Sequence, residues 1–454
     1  MVRLSTIAFV FSLLATPSWG QSSADIPIEQ AGAVATQALR ANEPALALEI
    51  ARRVLEVNPD DRLALLVVAA AGPNQGAATE ARQAGARAFG LAETNGQKYE
   101  AARLTALAAT REERFTLATY WLRRALVVAP NSTEKDRTLR DARSVSRANP
   151  WSTTLSFSIA PSNNVNGGAE DEDAGEFLGF TGTLSADAVA QPGKRANLSF
   201  GTSYRFYQTP RSRARVGVNY QLARVRLDDE TPDDPRTGEE VELDSSDFDT
   251  DYAQINLSYD HSLERGTIGL SLATGFLEFG HERYYDFDQL GISRTIPLND
   301  QWTLFANARR EWYDFESETI SDALRNTVRG GLAYRFANGD VVTGAYTRLR
   351  ANSDTSTQDF EQRGIDFSYR FGEPLGPFSI RFNVGARRAE YEFYSFFGPR
   401  EDETVSYGIN VGVPAIEFAG FQPTIAITGS RTDSNIARFT RSNFSVLATI
   451  ESAF

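Results

Sequence analysis

The last eleven residues of the chain, 444–454, alternate apolar and polar side chains as a β-strand with one apolar face does. One face carries Phe444, Val446, Ala448, Ile450, Ser452 and Phe454, and the other carries Ser445, Leu447, Thr449 and Glu451. A soluble edge strand with such a face would aggregate, whereas the closing strand of an outer-membrane barrel turns that face to lipid. The segment therefore predicts the last strand of a transmembrane β-barrel, with Phe454 read by the machinery that inserts barrels.

The same alternation returns in residues 267–279, 379–387 and 405–413, where apolar side chains oppose small or polar ones. Trp302 and Trp312 share one face of a further segment at about the spacing of the two aromatic girdles of a barrel. Small or charged inner faces would line a pore better than they would cover a soluble sandwich. These patterns favour a barrel over a soluble β-sandwich.

The connections between the candidate strands fall into two classes. Residues 297–300, 336–339 and 371–376 are short, as periplasmic turns are, while residues 160–176 and 228–249 are long and polar, as extracellular loops are. Both ends of the barrel segment should then face the periplasm, which requires an even number of strands.

The segmentation yields about fifteen candidate strands from residue 152 onward. Counting back from residue 454, the parity holds to residue 250, so one segment within 152–226 is either an extracellular excursion or part of a longer strand. We predict fourteen antiparallel strands in residues 150–454, with sixteen as the alternative.

Residues 28–148 are rich in alanine and carry helical periodicity, interrupted by short Pro, Asn and Gly signals that predict about six helices. Residues 44–59 are echoed by residues 115–130, and a spacing of 71 residues is close to two tetratricopeptide repeats of about 34 residues. We therefore expect a multidomain α plus all-β protein, with a tetratricopeptide-like helical domain at 25–149 before the barrel.

Residues 1–24 read as a signal peptide, with Arg3, an apolar run at residues 7–15, and cleavage after Gly20 or Ala24. The run is much shorter than the roughly 20 residues of a membrane-spanning helix. The chain has no Cys, which excludes a lipid-anchored N-terminus and Cys-ligated metals. We expect the barrel in the outer membrane of a Gram-negative cell and the helical domain in the periplasm.

Charge and histidine content exclude several functions. Residues 25–149 hold 17 Lys/Arg and 15 Asp/Glu, a balance of +2. Subtracting this balance and the +1 of Arg3 from the total net charge of −13 leaves −16 for residues 150–454, the wrong sign for binding nucleic acid. The two histidines, His261 and His281, lie in no recognisable catalytic motif, so we expect no enzyme, cofactor or metal site. The acidic loop 228–249 is either a solvated run or a site where divalent cations bridge to lipopolysaccharide.

A series of short motifs marks the barrel segment. The residues that form it are Asn163, Asn166, Arg400, Asp402, Gly420, Phe421, Pro423, Ser434, Asn435, Ile436, Arg441 and Phe454. Their combination resembles the surface lipoprotein assembly modulator family, which implies periplasmic repeats and a fourteen-stranded barrel that move client proteins, typically lipoproteins, to the cell surface. We expect these residues to act mainly in structure, with Arg400 and Asp402 forming an ion pair worth about 1 kcal/mol or less if exposed.

The lumen is the better candidate for function. Alternation predicts that seven charged side chains point into the lumen, namely those of Arg309, Glu311, Asp366, Arg370, Arg381, Arg387 and Glu451. They would form a polar pore wall, a wetted track for a passing molecule or the salt bridges that hold an internal plug.

The resemblance implies a translocator in which the repeats engage the client or its escort and the barrel provides the passage. Its expected partners are a surface lipoprotein or secreted client, outer-membrane lipids and lipopolysaccharide, and the insertion machinery. We expect a monomer. The alternatives are an exopolysaccharide exporter, which also joins repeats to a barrel, and a passive porin.

Overall fold

A computed structural model describes residues 28–177, 180–395, 398–414, 416, 418, 419 and 421–452. The predicted signal peptide, Gly420 and Phe454 lie outside the described residues. The chain divides into two compact units, one up to Glu112 and one from Glu113 onward.

The first unit is helical, and its helices are α1 (Ile28–Arg40), α2 (Pro44–Val57), α3 (Arg62–Ala71), α4 (Ala78–Gly90) and α5 (Asn95–Arg111). Local signals set their starts: the Asp61 carboxylate accepts a bond from the Ala64 N–H at 2.8 Å, and Thr94 and Gln97 form a capping box. The core is built around α3, whose side chains from Ala64 to Ala69 are all buried. Small side chains in α2, α4 and α5 complete it, as the alanine-rich sequence requires.

Two more helices, α6 (Phe115–Val127) and α7 (Ser132–Ala148), belong to the second unit. The described residues thus hold seven α-helices, where the sequence predicted about six. The compact units divide at 112/113, before the change from helix to strand near residue 150. The domain boundaries at 24/25 and 149/150, and the tetratricopeptide character of the helices, stay predictions.

Sixteen strands follow in the described residues of the second unit. They are β1 (Trp151–Ser162), β2 (Asp173–Phe177), β3 (Phe180–Thr183), β4 (Gly193–Gln208), β5 (Ser212–Leu227), β6 (Thr250–Ser262), β7 (Thr267–Phe279), β8 (Glu282–Pro297), β9 (Trp302–Phe315), β10 (Ala323–Arg335), β11 (Val341–Ser353), β12 (Phe360–Arg370), β13 (Ser379–Ser395), β14 (Gly398–Gly412), β15 (Phe421–Ser434) and β16 (Arg441–Ser452).

Strand β1 and strands β4–β16 form one closed antiparallel barrel of fourteen strands, and β2 and β3 form a separate hairpin. The predicted number is confirmed, and the alternative of sixteen is wrong. The surplus segment is the β2–β3 hairpin, which lies in the connection between β1 and β4, inside the range 152–226 where the sequence placed it.

Alternation assigns the two faces of the barrel wall. Large apolar side chains on one face are exposed; Leu272, Val328 and Phe367, for example, are 51%, 57% and 52% exposed. Since partners in register share a face, this apolar face continues from strand to strand around the barrel. It is the outer face, and the intervening residues, such as Asp366, point inward.

The two ends of the barrel differ. At the near end, where β1 begins and β16 ends, the strands join through short turns such as residues 336–340. At the far end lie the long connections 163–192 and 228–249, together with a two-residue turn whose residues, Gly280 and His281, have φ of 58° and 66°. None of the described helices combines the length and apolarity needed to span a membrane.

Candidate functional site at the closing seam of the barrel

The motif residues are distributed between the two ends of the barrel. Asn163, Asn166, Arg400, Asp402, Ser434, Asn435, Ile436 and Arg441 lie at or beside its far end, around the strands that close it. Phe421 and Pro423 lie at the near end, where β15 begins. Most of the motif thus converges around the closing seam, the line along which β1 meets β16.

Side chains from residues 162–164 bind residues 442–444 across this seam, and we call the two segments together the seam clasp. The Phe444 N–H donates to the Asn163 side-chain oxygen at 2.8 Å, so an amide side chain replaces a ladder acceptor. The Asn443 amide donates to the Asn164 carbonyl at 3.0 Å, and the Asn164 amide donates to the Ser442 carbonyl at 3.3 Å. Asn164 is buried, so its two bonds are partly shielded from water and costly to lose.

Asn166 holds the excursion that carries the β2–β3 hairpin. Its side-chain oxygen accepts from the Gln191 N–H at 2.9 Å, and its amide donates to the Val189 carbonyl at 2.7 Å. The excursion is in turn attached to the loop before β16, because Arg441 donates to the Gly167 carbonyl at 3.4 Å. The chain on both sides of the seam is therefore fixed at the far end.

Further contacts tie the excursion to the same loop. The Glu170 N–H donates to the Thr440 carbonyl at 2.8 Å, and the Glu170 carboxylate lies 3.1 Å from Arg431. These contacts extend the attachment from the seam to β15.

Arg400 and Asp402 form a buried bidentate ion pair on the inner face of β14. The Arg400 Nε lies 2.9 and 3.0 Å from the two carboxylate oxygens, and the second guanidinium nitrogen lies 2.5 Å from one of them. The guanidinium also lies 3.4 Å from the ring centre of Phe439 and 4.5 Å from that of Tyr391. The sequence anticipated this pair, but Arg400 and Asp402 are only 9% and 7% exposed, so the value for an exposed pair does not apply.

Asn435 binds the turn after β15 to the start of β14. Its side-chain oxygen accepts from the Glu401 N–H at 2.8 Å, and its amide donates to the Pro399 carbonyl at 2.9 Å. The turn is closed by the Ile436 N–H, which donates to the Ser434 hydroxyl at 3.2 Å. The motif residues at this end thus connect β14, β15, β16 and β1 through side-chain bonds.

At the near end, helix α6 contacts the connection between β14 and β15. The Arg123 guanidinium donates to the Ala419 carbonyl at 2.8 Å and lies 4.2 Å from the ring centre of Phe421. Pro423 is the third residue of β15 and stands opposite Ile450 in register.

Four of the predicted lumen residues form ion pairs. Arg309 lies 3.2 Å from Glu311, and Asp366 lies 3.5 Å from Arg387 and 3.8 Å from Arg329, an inward arginine that the sequence reading did not select.

The remaining lumen candidates lie nearer the near end. Arg370 and Arg381 stand opposite each other in register, which places two positive charges side by side. The Glu451 backbone pairs with Gln422, and its side chain lies outside the described part of the structure.

Sequence reasoning missed an aromatic cluster on the inner wall, formed by Tyr252, Tyr285, Phe287, Tyr313 and Phe315. Tyr285 and Tyr313 meet edge to face with ring centres 4.9 Å apart, and Arg325 lies 4.3 Å from the ring centre of Tyr313. The signal was present, because Tyr313 and Phe315 alternate with Trp312. The inner wall is therefore not uniformly small and polar, as the sequence led us to expect.

The acidic loop 228–249 is ordered by its own charges. The Arg236 guanidinium and N–H bind the Asp234 carboxylate and hold the pKa of that carboxyl below its usual value. Among the residues that the structure describes, no group of three or more His, Cys, Asp or Glu side chains is arranged to hold a metal ion.

Comparison with known proteins bears on the barrel segment. Residues 237–454 match the family model of the surface lipoprotein assembly modifier. No curated protein matches the chain. Solved structures that align with it include OccAB3 of Acinetobacter baumannii, at 11% identity over 66% of this chain and 98% of that one, with a TM-score of 0.36. OpdQ of Pseudomonas aeruginosa aligns at 8% identity over 66% and 96%, with a TM-score of 0.34, and a bacterial polysaccharide outer membrane secretin aligns at 10% over 66% and 98%, with a TM-score of 0.30.

The closed barrel, its apolar outer face and the family match place the protein in the outer membrane. The matched family acts in lipoprotein assembly, which confirms the expectation that the chain is not an enzyme. The resemblance drawn from the sequence is confirmed over residues 237–454, the part of the chain that matches the surface lipoprotein assembly modifier family.

Proposed function

We propose that this protein moves client proteins, chiefly lipoproteins, from the periplasm to the cell surface through its barrel. The near end of the barrel then faces the periplasm, and the helical repeats receive the client or its escort. The family match supports a role in surface lipoprotein assembly. The passage and the docking role are the parts that we add.

The observation that carries the proposal is the charged inner wall. Arg309 with Glu311, and Asp366 with Arg329 and Arg387, line the barrel with ion pairs. A polypeptide in transit needs a wetted wall whose contacts are weak. The side chains of Asp366, Arg329 and Arg387 are 27%, 42% and 50% exposed, and hydrated ion pairs of this kind contribute about 1 kcal/mol or less each. Such a wall can bind and release both signs of charge along a moving chain.

The position of α6 supports a periplasmic docking role. Because Arg123 binds the Ala419 carbonyl and lies over Phe421, this helix is fixed beside the near end of the barrel. A client held by helices there would be delivered to the mouth of the barrel rather than to open periplasm.

The test begins with deletion of the gene and protease treatment of intact cells. We expect surface lipoproteins to become protected from protease and the full chain supplied in trans to restore their exposure. If every client stays exposed without the gene, the proposal is wrong. Loss of secreted polysaccharide in that strain would instead indicate a polysaccharide exporter, and a large, steady conductance of the purified barrel would indicate a porin.

A lumen variant tests the wall itself. Replacing Arg329 and Arg387 with Gln removes both partners of Asp366, and we expect slower appearance of clients at the surface. The matched control is Arg388→Gln, because the neighbouring Arg388 points outward and binds Glu390 and Glu401. Equal rates for the two variants would contradict a role for the wall.

A further inference from the structure

The two edges of β1 are paired to very different extents. Its edge toward β4 pairs at twelve consecutive positions, from Trp151 with Tyr204 to Ser162 with Gly193. Its edge toward β16 pairs at three positions in the described residues: Ser158 with Thr449, Ile159 with Ala448, and Ser162 with Ser445. Over residues 155–162, which have described residues of β16 opposite them in this register, β4 pairs at all eight positions and β16 at three, so the closing seam has the shorter backbone ladder.

The missing pairs lie mainly in the near half of the seam. The observed register would bring Phe157 opposite Ile450 and Ser156 opposite Glu451, yet the described residues show no ladder pairing there. Farther up, Pro161 interrupts the ladder since proline has no N–H to donate. Backbone groups without partners are costly in hydrocarbon, so an unpaired edge marks a place where the wall can part.

The far end of the same seam is held differently. The seam clasp joins Asn163 to Phe444 and Asn164 to Ser442 and Asn443, outside the regular ladder. Contacts from Glu170 and Arg441 reinforce it. The seam is therefore strong where it reaches the far end and weak where it reaches the near end, so parting would begin at the near end.

The side chains at the weak half have a matching polarity. On the outer face, Leu155, Phe157 and Ile450 are 63%, 54% and 61% exposed. On the inner face, Ser156 and Ser158 are small and hydroxylated. A slot between these strands would be apolar toward the membrane and polar toward the lumen.

We propose that the β1–β16 seam parts from its near end to pass the acyl chains of a lipidated client while the polypeptide travels inside the barrel. The inference rests on the proposed function, because it requires a client in transit. A lipoprotein joins a polar chain to acyl chains, and moving those chains through a hydrated lumen would expose them to water. A slot that is apolar toward the membrane and polar toward the lumen lets the acyl chains stay in lipid while the polypeptide stays in water.

The test is a reversible lock across the seam. The chain contains no Cys, so Ser158→Cys with Thr449→Cys introduces a single pair at positions directly opposite each other in register, a separation that a disulfide can bridge. The matched control is Ser156→Cys with Ser199→Cys, which bridges the other edge of β1. Gel mobility reports the disulfide, and heat-modifiable migration shows that each barrel is folded.

We expect the oxidised seam lock to reduce surface exposure of a lipoprotein client to the level of the deletion strain, and reductant to restore it. The oxidised control should support normal exposure. Normal exposure through the oxidised seam lock would overturn the inference and leave the proposed function intact, whereas exposure without the gene would defeat the proposed function itself.

A second client separates acyl chains from polypeptide. The same client with its lipidated Cys replaced by Ser, and therefore soluble, should still reach the medium through the locked barrel. If the lock blocks both forms equally, the assignment of the seam to acyl chains is wrong.

Discussion

Removing the positive partner of the buried ion pair on β14 should destabilise the barrel well beyond the effect of a surface pair. In Arg400→Met the Asp402 carboxylate, 7% exposed, loses its bidentate partner and stays buried as an uncompensated charge. Breaking a buried pair in this way costs about 3–5 kcal/mol. Loss of the guanidinium from the Phe439 ring, 3.4 Å away, adds about 0.5–2 kcal/mol.

The assay is equilibrium unfolding of the purified barrel in detergent micelles, followed by its heat-modifiable migration. The control is Arg388→Met, because Arg388 is about half exposed and bridges Glu390 and Glu401, so its loss should cost about 1 kcal/mol or less. The double variant Arg400→Met with Asp402→Leu should be less damaging than Arg400→Met alone, since no buried charge is left unpaired. A loss in Arg400→Met no larger than in the Arg388 control would refute the reasoning.

Two further predictions concern other parts of the chain. A Cβ at Gly85 would overlap the buried Thr105 hydroxyl, so Gly85→Ala should lower the free energy of unfolding of the helical unit, measured in thermal melts, by about 1–3 kcal/mol. Gly90→Ala is the control, because the space around Gly90 is open, and it should cause no such loss. Equal effects of the two substitutions would contradict this packing. The Gly372 N–H donates to the Asp340 carboxylate and lowers its pKa from 3.8, so this group stabilises the fold above pH 3.8 and the contribution is lost as the pH falls further. Asp340→Asn should therefore have a lower free energy of unfolding than wild type at pH 7. When the free energy of unfolding is measured at successively lower pH, this difference should close below pH 3.8. A difference that stays constant with pH would contradict the assignment.

The barrel was predictable because a membrane imposes a simple rule on each strand. Outer positions must be apolar, and the period of two is therefore visible in segments such as residues 267–279. Parity also located the surplus segment, since a closed barrel with both ends on one side needs an even number of strands. The grouping of α6 with the barrel was not predictable, because it depends on contacts such as Arg123 with the Ala419 carbonyl, almost three hundred residues apart.

The candidate site was only half predictable. The sequence singled out Asn163, Arg400 and Arg441, but periodicity carries no information about which loops meet at the far end of a barrel. The burial of Arg400 and Asp402 depends on Phe439, which is brought over them by the loop before β16. The inner aromatic cluster follows from alternation, because Tyr313 and Phe315 share the inward face of β9 with Arg309 and Glu311.

A barrel whose seam must part needs closure that is local and strong at one end, and side chains supply this better than a continuous ladder does. A ladder spreads its bonds evenly, so weakening one part of it invites slippage of register along the whole edge. Asn163 and Asn164 instead bind specific groups of residues 442–444 and fix the register beyond the last ladder pair, Ser162 with Ser445. In the protein that carries Ser158→Cys and Thr449→Cys, Asn163→Ala should therefore loosen the far end of the seam and slow the oxidation of the cysteine pair. Asn435→Ala is the control, because Asn435 acts between β14 and β15, and it should leave the oxidation rate unchanged. Equal oxidation rates in the double-cysteine protein, its Asn163→Ala variant and its Asn435→Ala variant would show that the three ladder pairs, and not the seam clasp, set the register of the closing strands.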